Sequence, residues 1–532
     1  MITKAATAAT SELIQADCIM AETAAPALEL WGIEKSFGPV QANRGVSLAI
    51  ARGAIAGIVG ENGAGKSTIM SIVYGLYRPD AGEIRIDGKP LTINSPRDAI
   101  AAGVGMVHQH FMLVDTFTVL ENVILGAEAG GFLRQSLAAA RRELERLASE
   151  YGLTVNPDAL VGDLPVGEQQ RVEILKALYR GARILILDEP TAVLTPQEAD
   201  QLFRILGALK EKGTTIILIS HKLREIMAVT DQVFVMRQGQ VVAARETHQT
   251  DKEELAELMV GRKVRLVLDK KQQAPGAVLL AVEHVGLRGA GGVALLNDMN
   301  LELRAGEIVC VAGVSGNGQT ELLEVLSGVR PLTSGRITVC GQAVTPDAPV
   351  NPKRMRALGL AHVPEDRHRY GMTSGFTASE TAILGYQRNR PFSLRGLLDY
   401  RAAVRHCGEL MERYDVRPRR PSQIAVRFSG GNQQKLVMAR ETVVNPRVLL
   451  VGQPTRGVDI GAIEFIHRQL VALRDAGCAI LVVSVELDEV MSLADRIVVM
   501  YGGRIVGEVS GDQADERTLG LMMANLWKAG AA

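Results

Sequence analysis

Short unbroken apolar runs recur along this chain, each ending at a glycine or at polar and acidic residues. Ala54-Ile55-Ala56-Gly57-Ile58-Val59 leads into Gly60, and Ile308-Val309-Cys310-Val311-Ala312 leads into Gly313. Ile184-Leu185-Ile186-Leu187 and Ile216-Ile217-Leu218-Ile219 are shorter and separated by a stretch of helical length. Runs of this kind predict strands buried on both faces. Strands alternating with helices predict a largely parallel sheet with helices packed on it. The segment 136–151 sets Leu137, Leu144, Leu147 and Tyr151 at helical intervals, which predicts an amphipathic helix. No apolar run reaches the roughly 18–20 residues of a bilayer span. Residues 1–25 are rich in Ala and Thr but broken by Glu12, Asp17 and Glu22, and read as a loose cytosolic tail rather than a signal peptide.

The pattern occurs twice. Gly60-Glu61-Asn62-Gly63-Ala64-Gly65-Lys66-Ser67 recurs as Gly313-Val314-Ser315-Gly316-Asn317-Gly318-Gln319-Thr320, an offset of 253 (60 to 313). Gly167-Glu168-Gln169-Gln170-Arg171 recurs as Gly431-Asn432-Gln433-Gln434-Lys435, an offset of 264 (167 to 431). Pro190-Thr191 and Pro454-Thr455 keep 264, as do Leu255, Leu258 and Met259 with Leu519, Met522 and Met523. The growth in offset falls in each half's middle section, where a variable helical insert would sit. The expected organisation is a tail at 1–25, one domain at 26–268, a polar linker at 269–275 and a second domain at 276–532.

Composition narrows the class. Lys and Arg balance Asp and Glu at 59 each, so bulk charge gives no reason to expect a nucleic-acid partner. The five cysteines, Cys18, Cys310, Cys340, Cys407 and Cys478, form no C-x-x-C pair, which argues against a zinc site or a disulfide framework.

The loop Gly60–Ser67 has the phosphate-binding pattern. Glycines let backbone N–H groups turn inward, and the helix that follows points its positive end at an anion. Lys66 is placed for the β- and γ-phosphates and Ser67 for Mg2+, with Thr68 next along the helix. Further strand ends supply the rest. Asp188 suits Mg2+ and Glu189 suits polarising an attacking water. Gln109 can hold both ion and water, His221 can reach a γ-phosphate, and Phe37 can stack on adenine. In the second half Phe428-Ser429-Gly430-Gly431-Asn432-Gln433-Gln434-Lys435 sets a hydroxyl and glycine amides at a helix N-terminus, a second phosphate clamp.

With these motifs in order, everything after the first 25 residues resembles the tandem ATPase subunit of an ATP-binding-cassette importer. The resemblance implies an α/β fold of two fused ABC nucleotide-binding domains, each a P-loop RecA-like core with a β subdomain and a helical insert. It implies ATP and Mg2+, transmembrane permease subunits as direct partners and an extracytoplasmic solute-binding protein as an indirect one. It places the protein peripherally on the cytoplasmic face of the cell (inner) membrane, with no nucleic acid involved. A groove beside the Gln109 loop, lined by His110-Phe111-Met112-Leu113-Val114, would receive a permease helix.

The family's head-to-tail arrangement implies that each ATP lies between one half's P-loop and the other half's signature. Site one then combines Phe37, Gly60, Glu61, Asn62, Gly63, Ala64, Gly65, Lys66, Ser67, Thr68, Gln109, Asp188, Glu189 and His221 with Ser429, Gly430, Gly431, Gln433 and Asp459. Every position carries the residue the chemistry needs. Site two does not. Gln319 replaces the lysine, at a cost of about 1.5–3 kcal/mol in a charge-assisted contact. Gly452-Gln453 replaces Asp-Glu, while Glu365 and Val485 stand at the positions of Gln109 and His221. Pro165 supplies neither a hydroxyl nor an N–H, and Thr195 stands where Asp459 has its counterpart. The defects lie in both halves yet converge on one composite site.

The stretches Val107–Leu113, Glu189–Pro196 and Gln453–His467 look like the nucleoside-importer branch, which works with a lipoprotein-type nucleoside-binding protein. The sister branch imports ribose, galactose and similar sugars and commonly keeps Asp-Glu where this chain has Gly452-Gln453. Soluble tandem cassettes that act on ribosomes or DNA form a third class. Those typically keep two competent sites and a long charged linker, and neither is seen here.

Overall fold

The computed structural model describes residues 25–38, 40–109, 111–127, 133–191, 194, 196–263, 270–271, 273–314 and 316–527. The expected tail lies outside them apart from Ala25, as do His110, Thr195 and Ser315. The described chain forms two compact units, treated one at a time.

The first unit holds β1 (Leu28–Phe37), β2 (Val40–Ile50), β3 (Ile55–Gly60), β4 (Ala81–Ile86), β5 (Lys89–Leu91), β6 (Val104–Val107), β7 (Ile184–Asp188), β8 (Thr215–Ile219), β9 (Gln232–Arg237) and β10 (Gln240–Glu246). Strands β2-β1-β4-β5 make an antiparallel sheet, and β10-β9-β3-β8-β7-β6 make a second sheet that is parallel except at β10. The apolar runs read from the sequence are its central strands, and β3, β7 and β8 are buried along their whole length. The helix Leu133–Tyr151 confirms the amphipathic reading of 136–151, with Leu144 and Leu147 buried.

The second unit repeats this plan in β11 (Val278–Arg288), β12 (Ala294–Arg304), β13 (Ile308–Ala312), β14 (Ser334–Val339), β15 (Gln342–Val344), β16 (Leu360–Val363), β17 (Ser393–Leu394), β18 (Leu397–Leu398), β19 (Val448–Gly452), β20 (Ala479–Val483), β21 (Arg496–Tyr501) and β22 (Arg504–Ser510). Its sheets run β12-β11-β14-β15 and β16-β19-β20-β13-β21-β22. Along β13, Val309 and Val311 enter the core shared with the antiparallel sheet, while Ile308, Cys310 and Ala312 enter the core on the opposite face. A strand covered on both sides has no polar positions to alternate, hence the unbroken run in sequence. The hairpin β17–β18 falls in the stretch where the second half is longer than the first.

The boundary between units differs from position 268. The helix Lys252–Val260 belongs to the second unit and lies against the helix Ile460–Asp475. Its Leu255, Ala256 and Met259 are buried, and Arg262 beyond it pairs with Glu464 at 2.8 Å. The repeat pattern marks where this helix falls in sequence but cannot say which core covers it. Of the expected linker, Lys270 pairs with Asp495 at 2.9 Å and the Lys271 carbonyl accepts from Arg474, so both are fastened to the second unit. Asp269 and Gln272 lie outside the described residues.

Candidate active site

Four parallel strands of the first unit, β3, β6, β7 and β8, end at the same edge, and each delivers one part of the site. β3 runs into the loop Gly60–Gly65, and the helix Lys66–Val73 starts from Gly65 in the left-handed region at φ 97°. A Cβ at Gly65 would stand 2.5 Å from the Ala42 carbonyl, and one at Gly60 would stand 2.3 Å from the Met236 carbonyl. Only glycine lets the loop fold this tightly. Asn62, Gly63 and Ser67 are exposed, Glu61, Gly65 and Thr68 half-buried, and Ala64 buried. Lys66 is buried, its ammonium donating to the Gly60 carbonyl at 2.7 Å and the Glu61 carbonyl at 3.1 Å. Burial pulls its pKa down, against the pull of Glu189, Asp188 and Glu61.

β7 delivers Asp188 and Glu189. Burial pushes the Asp188 carboxyl up, opposed by a hydrogen bond from Ser67. Glu189 sits at φ 47°, uncommon for a residue with a side chain, and its N–H donates to the Ile219 carbonyl of β8. One carboxylate oxygen accepts from Gln109 Nε2 at 2.9 Å and the other pairs with His221 Nδ1 at 2.9 Å. Burial would raise the Glu189 pKa, but the His221 hydrogen bond and charge, with Lys66 and Lys222, outweigh it and hold the carboxyl below its ordinary range. Gln109, Glu189 and His221, 112 positions apart from first to last, thus form one connected group. Phe37 is exposed, edge-on to Tyr77 at 5.1 Å, so its face is not spent on a core.

Two supports escape the motifs. Glu225 accepts from Thr191 and from Ser220 Oγ at 3.0 Å, bracing the loop that carries His221, and Gln170 donates to the Pro190 carbonyl at 2.9 Å. The available signal was the repeat itself, since Glu489 and Gln434 stand at the same spacing of 264 in the second half.

The second unit keeps this backbone and loses its chemistry. Gln453 sits at φ 45° and donates its N–H to the Val483 carbonyl, as Glu189 does to Ile219. Its side-chain oxygen accepts from the Val485 N–H at 3.4 Å, a main-chain group where the first half has an imidazole. Gln319 bonds within its own loop, to the Val314 carbonyl and the Asn317 N–H. Thr320 donates to Glu365 at 2.7 Å. At Gly452 a Cβ would lie 2.8 Å from both the Glu365 nitrogen and Leu323 Cδ1, so the place of Asp188 is closed by packing.

The signature explains its glycines the same way. Ser429 precedes the helix Gly430–Thr442, its hydroxyl accepting from Asn432 Nδ2 at 2.7 Å rather than capping the helix. A Cβ at Gly430 would meet the Gly457 carbonyl at 2.6 Å, and one at Gly431 would meet Asp459 Oδ2 at 2.8 Å. Asp459 itself caps the helix Ile460–Asp475 through the Ala462 N–H. Gln433, expected beside the nucleotide, is turned inward: its amide donates to the Val426 and Phe428 carbonyls and accepts from Arg367. Gln169 makes the matching bonds to Val161 and Leu164 in the half whose signature begins with Pro165, so this stitch does not depend on a phosphate clamp. In that half Val166 occupies the place of Gly430, and Thr195 lies outside the described residues.

The ABC transporter family model matches residues 43–192 and 296–456. The chain belongs to the ABC transporter family. It is 46% identical to the nucleoside import ATP-binding protein NupA of Lactococcus lactis subsp. cremoris, over 93% of this chain and 97% of that one. It is 45% identical to the guanosine import ATP-binding protein NupO of Bacillus subtilis, over 93% and 97%. It is 44% identical to the glucose import ATP-binding protein TsgD13 of Haloferax volcanii, over 94% and 96%. As an ABC transporter ATPase it hydrolyses ATP with Mg2+. Among the described residues of this ABC ATPase no helix is long and apolar enough to cross a membrane.

The first unit's donor set fits both groups: a loop in which Gly60 and Gly65 leave no room for a Cβ, a hydroxyl beside a buried carboxylate, and an ammonium among loop carbonyls. Ser67, Asp188 and Gln109 are the residues that would hold Mg2+, which when bound neutralises charge developing on the phosphates. Lys66, now on loop carbonyls, would be the residue to hold phosphate oxygens, and Glu189, kept ionised, the one to orient and polarise water.

Two outcomes test this geometry. Hydrolysis falls as pH drops through the Glu189 pKa, because the ionised form is the active one. In His221→Ala the group that holds this carboxyl down is gone, so the acid limb of the kcat–pH profile moves to higher pH and the plateau falls. A limb at the wild-type position would show that His221 does not set Glu189. Second, Gly452→Asp forces a side chain into filled space, with an expected overpacking cost of about 1–3 kcal/mol and no gain in hydrolysis. Calorimetry of the variant against the parent reads the shift, and an unchanged unfolding midpoint would mean the site is open.

Proposed function

We propose that this ATPase energises the import of nucleosides through a membrane permease, with one hydrolytic site per pair of halves. The reading assigns hydrolysis to the first half's Lys66, Ser67, Gln109, Asp188, Glu189 and His221, and the phosphate clamp to the second half's Ser429, Gly430 and Gly431. The observation that carries the reading is the distribution of losses. The half with the intact Glu189 group has Pro165 and Val166 at its signature, and the half with an intact signature has Gln319, Glu365, Gly452, Gln453 and Val485. Each half retains what the other lacks.

The permease side rests on the loop after β6. Met112 and Val114 are exposed apolar side chains, and the Met112 main chain is pinned by Glu173 at 2.7 Å and Lys176 at 2.7 Å. Beside them is a cavity of about 230 Å3 bordered by Tyr74, His108, Leu125 and Arg180. A fixed concave surface with apolar side chains at its rim suits a short amphipathic segment of a permease. The protein then works from the cytoplasmic face of the membrane, and a solute-binding protein on the other side delivers the cargo.

Nucleoside is favoured over sugar by the motif resemblance at Gly452-Gln453, where the tight packing of Gly452 matches the absence of the sugar branch's aspartate. Two of the three relatives described above are named for nucleosides, and the third for glucose.

Two measurements follow. Lys66→Ala nearly abolishes ATP hydrolysis by the chain assembled with its permease, whereas Gln319→Ala changes it less than about twofold; comparable losses would sink the one-site reading. For the cargo, the cognate solute-binding protein is melted with a panel of nucleosides and pentoses. Guanosine or adenosine raises its midpoint by several degrees and ribose or galactose does not. The reverse order would assign the chain to sugar import.

A further inference from the structure

The segment after β16 ends in a tight turn, Arg367–Gly371, whose start is fixed by Asp366 accepting from the His368 and Arg369 N–H groups at 2.9 and 3.0 Å. Its far end is fixed too, the Gly371 carbonyl accepting from the buried Arg440 at 2.7 Å. From this anchored base the half-buried Arg367 guanidinium reaches two other elements. Its Nε donates to Gln433 Oε1 at 3.2 Å, on the first turn of the signature helix. Its Nη1 donates to the Arg456 carbonyl at 2.9 Å, in the loop that leads to Asp459. The third nitrogen, Nη2, lies 3.0 Å from where a Cβ on Gly430 would stand and 3.5 Å from the same point on Gly457.

One planar fork therefore joins three segments that are distant in sequence: the loop that follows β16, the signature, and the 456–459 loop. The Gly430 main chain is pressed between this fork and the Gly457 carbonyl. Lysine could supply a charge here but not two donors at a fixed angle. In the first half Phe111 occupies the corresponding place after Gln109, so the fork is peculiar to the half with the serine signature.

We propose that Arg367 is a positioning residue for ATP hydrolysis, holding Ser429 and Gly430 in register with the 456–459 loop so that the signature can clamp phosphate. The proposal rests on the reading that Ser429–Gly431 serves the site that hydrolyses ATP. Arg367 acts through Gln433 and the Arg456 carbonyl, and it leaves the first half's P-loop untouched. Its loss should therefore lower kcat while KM for ATP stays put.

The test is steady-state hydrolysis by the full chain assembled with its permease. Arg367→Ala is expected to lower kcat roughly ten- to a hundredfold, the scale of losing charge-assisted hydrogen bonds. KM for ATP should stay within about twofold, and the unfolding midpoint should fall by no more than several degrees, with the folded state fully populated at the assay temperature. Arg367→Lys should fall between the two. Arg367→Gln, of similar length but uncharged, provides the same comparison if the alanine variant does not fold. Combining Arg367→Ala with Gln433→Ala should add little to the worse single variant, because both break one connection. A kcat loss that tracks a falling midpoint, or that adds in full to Gln433→Ala, would overturn the positioning role. Ser429→Arg separates the two levels. If it abolishes hydrolysis while Arg367→Ala is inert, the signature reading stands and the Arg367 proposal fails. If both are inert, the signature reading falls and takes this proposal with it.

Discussion

A half-buried glutamate held ionised by its neighbours is the interaction around which the first half's site is arranged. Burial opposes the charge on Glu189, and only the donors brought to it by other strands reverse that preference. The strand β7 supplies the carboxylate, the loop after β6 supplies Gln109 and the end of β8 supplies His221. Parallel neighbours put all three at one edge of the sheet, which an antiparallel arrangement of the same strands would not do. The left-handed backbone at Glu189 serves this arrangement without being caused by it. It turns the side chain toward the other two groups, and the N–H bond to Ile219 holds the turn.

The second half separates the scaffold from the chemistry. Gln453 keeps the positive φ and the main-chain bond of Glu189, so that backbone shape is a property of the strand ends and not of the carboxylate. The neighbouring position is Gly452, and the Glu365 main chain and Leu323 lie close to where a Cβ would stand. Losses of this kind are hard to reverse one at a time. An aspartate at position 452 meets filled space before it meets a cation.

Much of this was legible in the sequence, for reasons that can be named. Strands such as β3, β7 and β8 are buried on both faces and leave unmistakable apolar runs. The phosphate loop is a contiguous motif because consecutive backbone N–H groups must share one turn, and the repeat located both copies. What the sequence did not show are contacts that cross it. Gln433 lies within the signature and looked like a ligand, yet its amide is consumed by Val426, Phe428 and Arg367. The helix Lys252–Val260 has the right spacing to end the first half, but which core covers its apolar face is a packing outcome. Glu225, on the helix Leu223–Val229, and Arg367, in the turn after β16, act singly, and no phosphate-binding motif marks them.

The glycines of the signature show where motif and packing meet. A phosphate clamp needs exposed N–H groups at a helix start, and that alone would tolerate small side chains at several positions. Gly430 and Gly431 are stricter because the loop ending in Asp459 lies against them, with the Gly457 carbonyl and the Asp459 carboxylate where a Cβ would be. Asp459 is in turn committed to capping the helix Ile460–Asp475, so the loop cannot retreat to make room. The first half replaces Gly430 with Val166, a side chain that this close approach would not admit. The signature sequence of the second half is therefore readable as a statement about its neighbouring loop: glycine stands where that loop is pressed home.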